Sequence, residues 1–425
     1  MAAPQARDIP APLARPLPEG GAWITAARKA AQARLAEMGL PRRRDEYWKF
    51  TKPDSLIAAD APRAVLYQGE VPEVFATVDR LRIVFVDGVF DPGASDDLAL
   101  NAVRIERLAD VAAQDIHWAR DLYGTLEARG QDPVPRPLAA LNTAQARDGV
   151  LIHVTGRASR PIHLVYVHES ESSDAILHHC IRLDEGAELT LLETGPAAAR
   201  FNKVIEVDVA ERAAFHHLCI QGPDHERHAI THVFARLARE AVFKTFTLTA
   251  NGVLTRNECV VEIAGDDASA HVAGAAMGGG DFHHDDTVFV THDALRGESR
   301  QVFRKVLGRG ATGVFQGKIL VRPGAQKTDG YQISQALLLD EDSQFLAKPE
   351  LEIHADDVAC SHGSTAGAID EDALYYLRAR GIPRPIATDL MVVSFVAEAV
   401  AEIADEGLRD EIIGHFEAWL ERRHG

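Results

Sequence analysis

The chain of 425 residues and 46.3 kDa is too long for one compact core, and 46% apolar with 25% charged residues is the composition of a folded protein. Lys and Arg number 45 against 63 Asp and Glu, and the net charge of −18 repels nucleic-acid backbones and anionic membranes. Four cysteines, no two of them in a C-x-x-C pair, exclude a disulfide framework and fit a reducing compartment. In chain order, the segment MAAPQARDIPAPLARPLPEGG carries prolines from Pro4 to Pro18 and no apolar h-region, so it reads as an extended leader without a secretory signal. An Ala-rich pattern from Trp23 to Met38 predicts a helix stopped by Gly39 and Pro41. LRIVFVDGVF, Leu81 to Phe90, predicts a strand, and Val103 to Thr143 reads as amphipathic helix with loops. Residues 1–148 are taken as a helix-dominated N-terminal region.

From Gly149 to Ile369 the texture changes to short β-branched runs such as IHLVYV, VIEVDV, VFKTFTL and VFQGKILV, separated by Gly, Asp and charged pairs. The absence of helical periodicity over this span excludes the strand–helix alternation of a doubly wound fold. A polar pair or single acid precedes an alanine at Ala158, Ala187, Ala213, Ala241 and Ala268, which stand 29, 26, 28 and 27 residues apart. Stacked coils have such a period, because each buries its apolar face only against its neighbours. Residues 149–369 are therefore expected to form a β-helix core, ahead of a sandwich or barrel.

Helices return at Asp370, which is placed to cap a helix closed by Gly381. Thr388 is the expected cap of a second helix with an apolar stripe from Met391 to Ile403, and a third carries Leu408, Ile412, Phe416 and Leu420. Residues 370–425 are read as a small helical domain with more apolar surface than it can bury alone, so the β-domain or a partner covers the rest. The longest apolar run, Leu390 to Val400, is broken by Ser394 and Glu398 and falls short of the roughly 20 residues of a membrane span. The expected location is cytoplasmic, with no membrane and no nucleic-acid partner.

Most enzyme motifs fail on inspection. Gly317-Lys318 lacks both the opening glycine and the hydroxyl residue of a phosphate loop, so no ATP is expected on this chain. His225-Glu226-Arg227-His228 lacks the four-residue separation of a helical zinc pair, and the serine of Gly363-Ser364-Thr365-Ala366-Gly367 is one place early for a nucleophile elbow. His178-His179, His216-His217 and His283-His284-Asp285-Asp286 stand on strand-like runs, where adjacent residues face opposite sides and cannot chelate one ion together. These clusters read as surface or stacked polar rungs, with His284 and Asp286 alone sharing a face suited to a metal. Cys180, Cys219 and Cys259 read as small buried hydrophobes. Cys360-Ser361-His362 differs: on a strand from Val358 the thiol and imidazole share a face, half of a tetrahedral site for a soft metal.

The segment from Phe315 to Ile382, through KPELEIHADDVACSHG, resembles the C-terminal core of the SufB/SufD family, scaffolds of the SUF iron–sulfur cluster assembly system. GLPRRRDEYWKFT, Gly39 to Thr51, resembles the N-terminal motif of the SufD branch. CSHGSTAG follows that branch, whereas SufB-type sequences read EHE near this point and place a cluster-related cysteine where this chain has Leu377. The resemblance implies a mainly β fold: a right-handed parallel β-helix between an N-terminal helical region and a small C-terminal helical domain. It implies a non-enzymatic scaffold that forms a heterodimer with SufB through sheet edges and docks the ATPase SufC on its C-terminal helices. The metal residue carried over is His362, with Cys360 as its neighbour; the cofactor is a nascent iron–sulfur cluster shared transiently with SufB.

Two other readings stand beside this one. β-Helices also serve as polysaccharide lyases and pectinases, though mostly secreted ones, and a homodimer built on the His283-His284-Asp285-Asp286 cluster would be a metal-binding protein of unrelated function. A homodimer in the absence of SufB is a further possibility.

Overall fold

The computed structural model describes residues 12, 15–69, 73–222 and 226–422. Most of the proline-rich leader, and His225 of the His225–His228 cluster, lie outside the described residues. The strands are β1 (Leu81–Val86), β2 (Val89–Phe90), β3 (Val103–Arg107), β4 (Val150–Val154), β5 (Ile162–Val167), β6 (Asp174–Leu183) and β7 (Glu188–Thr194). They continue as β8 (Arg200–Val209), β9 (Ala214–Gln221), β10 (His228–Leu237), β11 (Val242–Ala250), β12 (Leu254–Ile263) and β13 (Ser269–Gly279). The series ends with β14 (His283–His292), β15 (Glu298–Gly308), β16 (Thr312–Val321), β17 (Asp329–Leu338), β18 (Gln344–Ile353) and β19 (Ala359–Ala368).

Successive strands alternate between two sheets, so each coil contributes one strand to each. The first sheet runs β19-β17-β15-β13-β11-β9-β7-β5-β1-β2 and the second β18-β16-β14-β12-β10-β8-β6-β4-β3. All ladders are parallel except β1 with β2 and β3 with β4. This is the parallel β-helix expected from the spacing of the alanines, with about 7 turns.

The turns explain the alanine rhythm. Gly186, Arg212, Glu240, Asp267, Arg296 and Lys327 all have positive φ, between 55° and 66°. Five of these six are not glycine, and a side chain in that region costs about 1–2 kcal/mol. Each offsets the cost in the same way: its backbone N–H donates to a carbonyl of the next coil, to Glu211, Arg239, Asp266, Leu295, Gln326 and Asp357 respectively. The residue after it turns into the bore, and Ala187, Ala213, Ala241 and Ala268 are wholly buried there.

The apolar core fills the bore between the sheets. Ile162, Leu164, Ile181, Leu189, Ile205, Phe215, Phe243 and Val261 belong to it, with the rings of Phe303 and Phe315 tilted against each other at 5.0 Å. Each such side chain contributes roughly 1.5–3 kcal/mol by burial. The outer face of the second sheet is covered by N-terminal helices Ala22–Met38 and Pro137–Gln145, with Leu35, Trp48 and Leu138 packed on Ile230 and Leu254. The outer face of the first sheet is covered by helices Arg384–Val400 and Glu406–Arg422, with Val392, Val396 and Phe416 packed on Phe246, Leu248 and Val302. The β-domain therefore absorbs most of the surplus apolar surface of the C-terminal helices.

Two local expectations are corrected. Val103–Arg107 is a strand, not helix, because VRIER alternates with period two and pairs with β4. The second C-terminal helix starts at Arg384, four residues before Thr388, because Pro385 pre-sets the first turn. Asp370 does cap its helix, accepting from the N–H groups of Asp372 and Ala373. No helix among the described residues is long and apolar enough to cross a membrane.

Candidate functional site

Strand alternation separates each histidine pair as its chemistry requires. His178 faces outward from the second sheet, its Nδ1 3.0 Å from Asn142 Oδ1 and its Nε2 3.2 Å from Glu206 Oε2. His179 faces the bore, where its Nδ1 accepts the Val150 N–H and its Nε2 lies 3.1 Å from the Tyr166 hydroxyl. His283 reaches Thr51 of the N-terminal region at 3.0 Å, whereas His284 points inward. The register sorts these residues into separate sites, and most are sealed.

Among the described residues, two groups of side chains look like metal ligands by type. His178, Cys180 and Glu206 converge under the N-terminal helices, but Glu206 already accepts the backbone N–H groups of Gly124 and Glu127 at 2.6 and 2.7 Å. Glu193, His217 and Cys219 converge inside the bore, with the Lys203 ammonium bonded to the same carboxylate. His217 donates to Glu193 at 3.1 Å and accepts from Thr245 at 2.8 Å. Burial pushes the Glu193 carboxyl up, but Lys203 and His217 outweigh it and hold the group well below the usual carboxylate range. Here an ammonium stands where a metal ion would.

The same arrangement decides His284 and Asp286. They do share a bore-facing side, but Lys305 Nζ lies 2.6 Å from His284 Nδ1 and 2.6 Å from Asp286 Oδ2. Burial first, then Lys305, push the imidazole well below its ordinary pKa. The pair holds a lysine cation, and the donor set that a metal would need is already occupied.

The last coil is built differently. β18 and β19 end the two sheets, so β19 has a neighbour on one side only, β17. Cys360 pairs in register with Gly330 and His362 with Gln332, both bore-facing positions of β17. Cys360 is half-buried against Ile319, Leu351 and Val358, and a Cβ on Gly330 would come within 3.1 Å of its Sγ. Burial pushes its thiol up, so it binds metal only with loss of a proton. Cys219 and Cys259, fully buried, are pushed up to about 12, and burial also pushes the Cys180 thiol well above its ordinary value. The His362 side chain is exposed and forms no hydrogen bond or ion pair among the described residues. The structure thus brings Cys360 and His362 together at the open mouth of the bore, the placement that the sequence spacing predicts.

Sequence reading missed the residues that contact these positions from other coils, such as Lys203, Lys305 and Gln332. The signal was present only as register: Gln332 lies 30 positions before His362, one coil away. The tripeptide Glu46-Tyr47-Trp48 of the N-terminal motif reaches the same end of the molecule from outside. Tyr47 donates to Glu350 of β18 and Glu46 pairs with Lys348 at 2.6 Å. Arg42, Arg43 and Arg44, by contrast, are exposed.

Comparison with known proteins identifies the family. Residues 166–395 match the family described as SUF system FeS cluster assembly, SufBD core domain, and residues 19–164 match the SufBD protein N-terminal region. The chain is 28% identical over 400 residues to the iron–sulfur cluster assembly protein SufD of Escherichia coli, covering 90% of each chain. It is 27% identical over 290 residues to SufD of Bacillus subtilis, covering 66% of each, and 24% identical over 401 residues to a SufBD family protein of Synechocystis, covering 88% of this chain and 86% of the relative. The chain belongs to the SufBD family of the SUF iron–sulfur cluster assembly system.

Proposed function

We propose that the chain is a non-enzymatic scaffold subunit that pairs with SufB, docks the ATPase SufC and holds iron of a nascent cluster through His362, with Cys360 as its neighbour. One observation carries the reading: the final coil leaves a free edge strand, and that strand presents the one exposed imidazole without a partner among the described residues, beside the least buried of the four thiols. Unpaired amides and carbonyls along β19 invite strand addition by a second sheet, and a sister solenoid supplies one. Two ligands from this chain leave room for thiolates from the partner, so the cluster is cargo shared across the seam.

Docking of SufC on residues 370–425 has support of its own. Tyr375, Tyr376, Ile386 and Leu390 are exposed, from 50% to 74%, on the first two C-terminal helices, away from the face packed on the sheet. Exposed aromatic and aliphatic groups in one segment are what a protein interface uses for its centre. A lyase would need an open sheet face lined with charged residues, whereas helices cover the outer faces of both sheets.

The test is reconstitution of the complex with SufB and SufC, comparing wild type with His362→Ala. Loss of cluster formation with an intact ternary complex supports the proposal. Full cluster formation by the variant sinks the ligand role, and failure of the three chains to co-purify sinks the scaffold reading.

A further inference from the structure

Gln332 is wholly buried in the bore, one coil below His362. Its Nε2 donates to Gln301 Oε1 of β15 at 2.8 Å, so the planar amide turns its oxygen away from that coil. Gln332 Oε1 has no hydrogen-bond partner. A buried, unpaired amide oxygen costs about 1–3 kcal/mol, so it is retained against a stability penalty.

The surroundings keep this amide in place. A Cβ on Gly317, in the middle of β16 across the bore, would lie 2.3 Å from Gln332 Nε2 and 2.7 Å from its Cδ. Only glycine leaves space for the side chain at that crossing. Past this position along the strand, side chains of β17 are bonded to the last coil. Ser334 bonds Ser364 at 2.7 Å and Gln335 Nε2 donates to Thr365 at 3.0 Å. At Gln332 no such bond is made: the residue opposite is His362, whose imidazole is exposed and bonds nothing among the described residues.

We propose that Gln332 is a positioning residue for His362: when the imidazole binds iron at the mouth of the bore, its other ring N–H donates to Gln332 Oε1. This rests on the reading of His362 as an iron ligand and deepens it. A ligating histidine is oriented and its tautomer fixed by an acceptor for the non-ligating nitrogen, and loss of such an acceptor lowers metal affinity about 10–100-fold. The series Gln301, Gln332, His362 would then be linked through Gln332 only on the loaded protein, with Gln301 Nε2 still without a partner.

The experiment titrates ferrous iron, without oxygen, into the complex of the full chain with SufB, for wild type, Gln332→Met, Gln332→Glu and His362→Ala. Gln332→Met removes the unpaired oxygen at similar volume but also takes the donor from Gln301 Oε1, so the melting temperature of the isolated chain should change little, while iron affinity falls about 10–100-fold. In Gln332→Glu, the protonated carboxyl still donates to Gln301 and accepts from the imidazole, so affinity should return. With zinc as a diamagnetic probe on 15N-histidine-labelled chain, a slowly exchanging imidazole N–H resonance should appear in wild type and Gln332→Glu and vanish in Gln332→Met. If Gln332→Met binds iron as wild type does while His362→Ala does not, the inference is overturned and the ligand role stands. If His362→Ala binds as wild type does, both fall.

Discussion

The deep part of the bore and its mouth carry the same chemistry in opposite states. In the deep part, Glu193, His217, Cys219 and Lys203 form a closed set, as do His284, Asp286 and Lys305. Every charge there has a partner supplied by a neighbouring coil. At the mouth, Cys360 and His362 have a coil on one side only, and the imidazole and the Gln332 oxygen remain unpaired. Residue type therefore does not locate a metal site in this fold; the state of the neighbouring coil does. A cluster of His, Cys and Glu inside the stack is finished structure, and the same residue types on its last coil are an unfinished site.

Breaking a closed set should give the largest effect. Glu193→Ala leaves Lys203 buried without its counter-charge, and removing one partner of a buried pair costs about 3–5 kcal/mol. Chemical denaturation of the isolated chain measures it, and a loss under about 1 kcal/mol would show that the interior ionic sets matter little to stability.

Acid should loosen the interior next. Burial holds His163 and His179 down to about 3 and His232 and His292 down to about 4. These groups stay neutral in the fold but take up protons in the unfolded chain below its ordinary histidine value near 6.5. Each contributes stability that is full above that value and is lost as pH falls toward its folded pKa, by about 1.4 kcal/mol per pH unit. Denaturant midpoints measured from pH 7 to pH 5 should fall steeply, and a flat profile would contradict the sealed interior.

How much of this was legible follows from what the stack repeats. The alanine positions could be read because every coil needs a small residue after its left-handed turn residue, and Arg212, Glu240 and Asp267 carry that turn. Strand β13, SAHVAGAAMGG, could not be read because its small residues lack β-branched patterning; Gly274 is there to admit the ring of Phe303 from β15. The Cys360–His362 pair was visible from two-residue spacing within one strand. Gln332, Lys305 and Lys203 were not, because coils differ in length and the partner across a ladder is fixed only when the register is known. The beginning of the stack was hidden for the same reason, since β1 is separated from its partner β5 by most of the N-terminal region.

A smaller effect should come from the turns. Lys327 has a φ of 60° and its N–H donates to Asp357. Lys327→Gly keeps that bond and relieves a strain of about 1–2 kcal/mol, partly offset by the greater freedom of glycine in the unfolded chain. A net gain of up to about 1 kcal/mol should appear as a modest rise in melting temperature. A loss would mean that the side chain itself holds the turn.

The smallest effect on stability should come from the residue with the largest proposed role. His362 is exposed, lies on a strand with one neighbour, and its side chain bonds nothing among the described residues. His362→Ala should therefore change its unfolding free energy by no more than about 0.5 kcal/mol, as for other surface positions without partners. Measured beside Glu193→Ala, this separates the two parts of the bore by what removal does. A deep residue is needed for the chain to fold, and a mouth residue is needed only once a partner and iron arrive. If His362→Ala instead destabilises the isolated chain by about 1–3 kcal/mol, the imidazole is already engaged, with Gln332 Oε1 as the nearest acceptor in register, and the last coil is as closed as those before it.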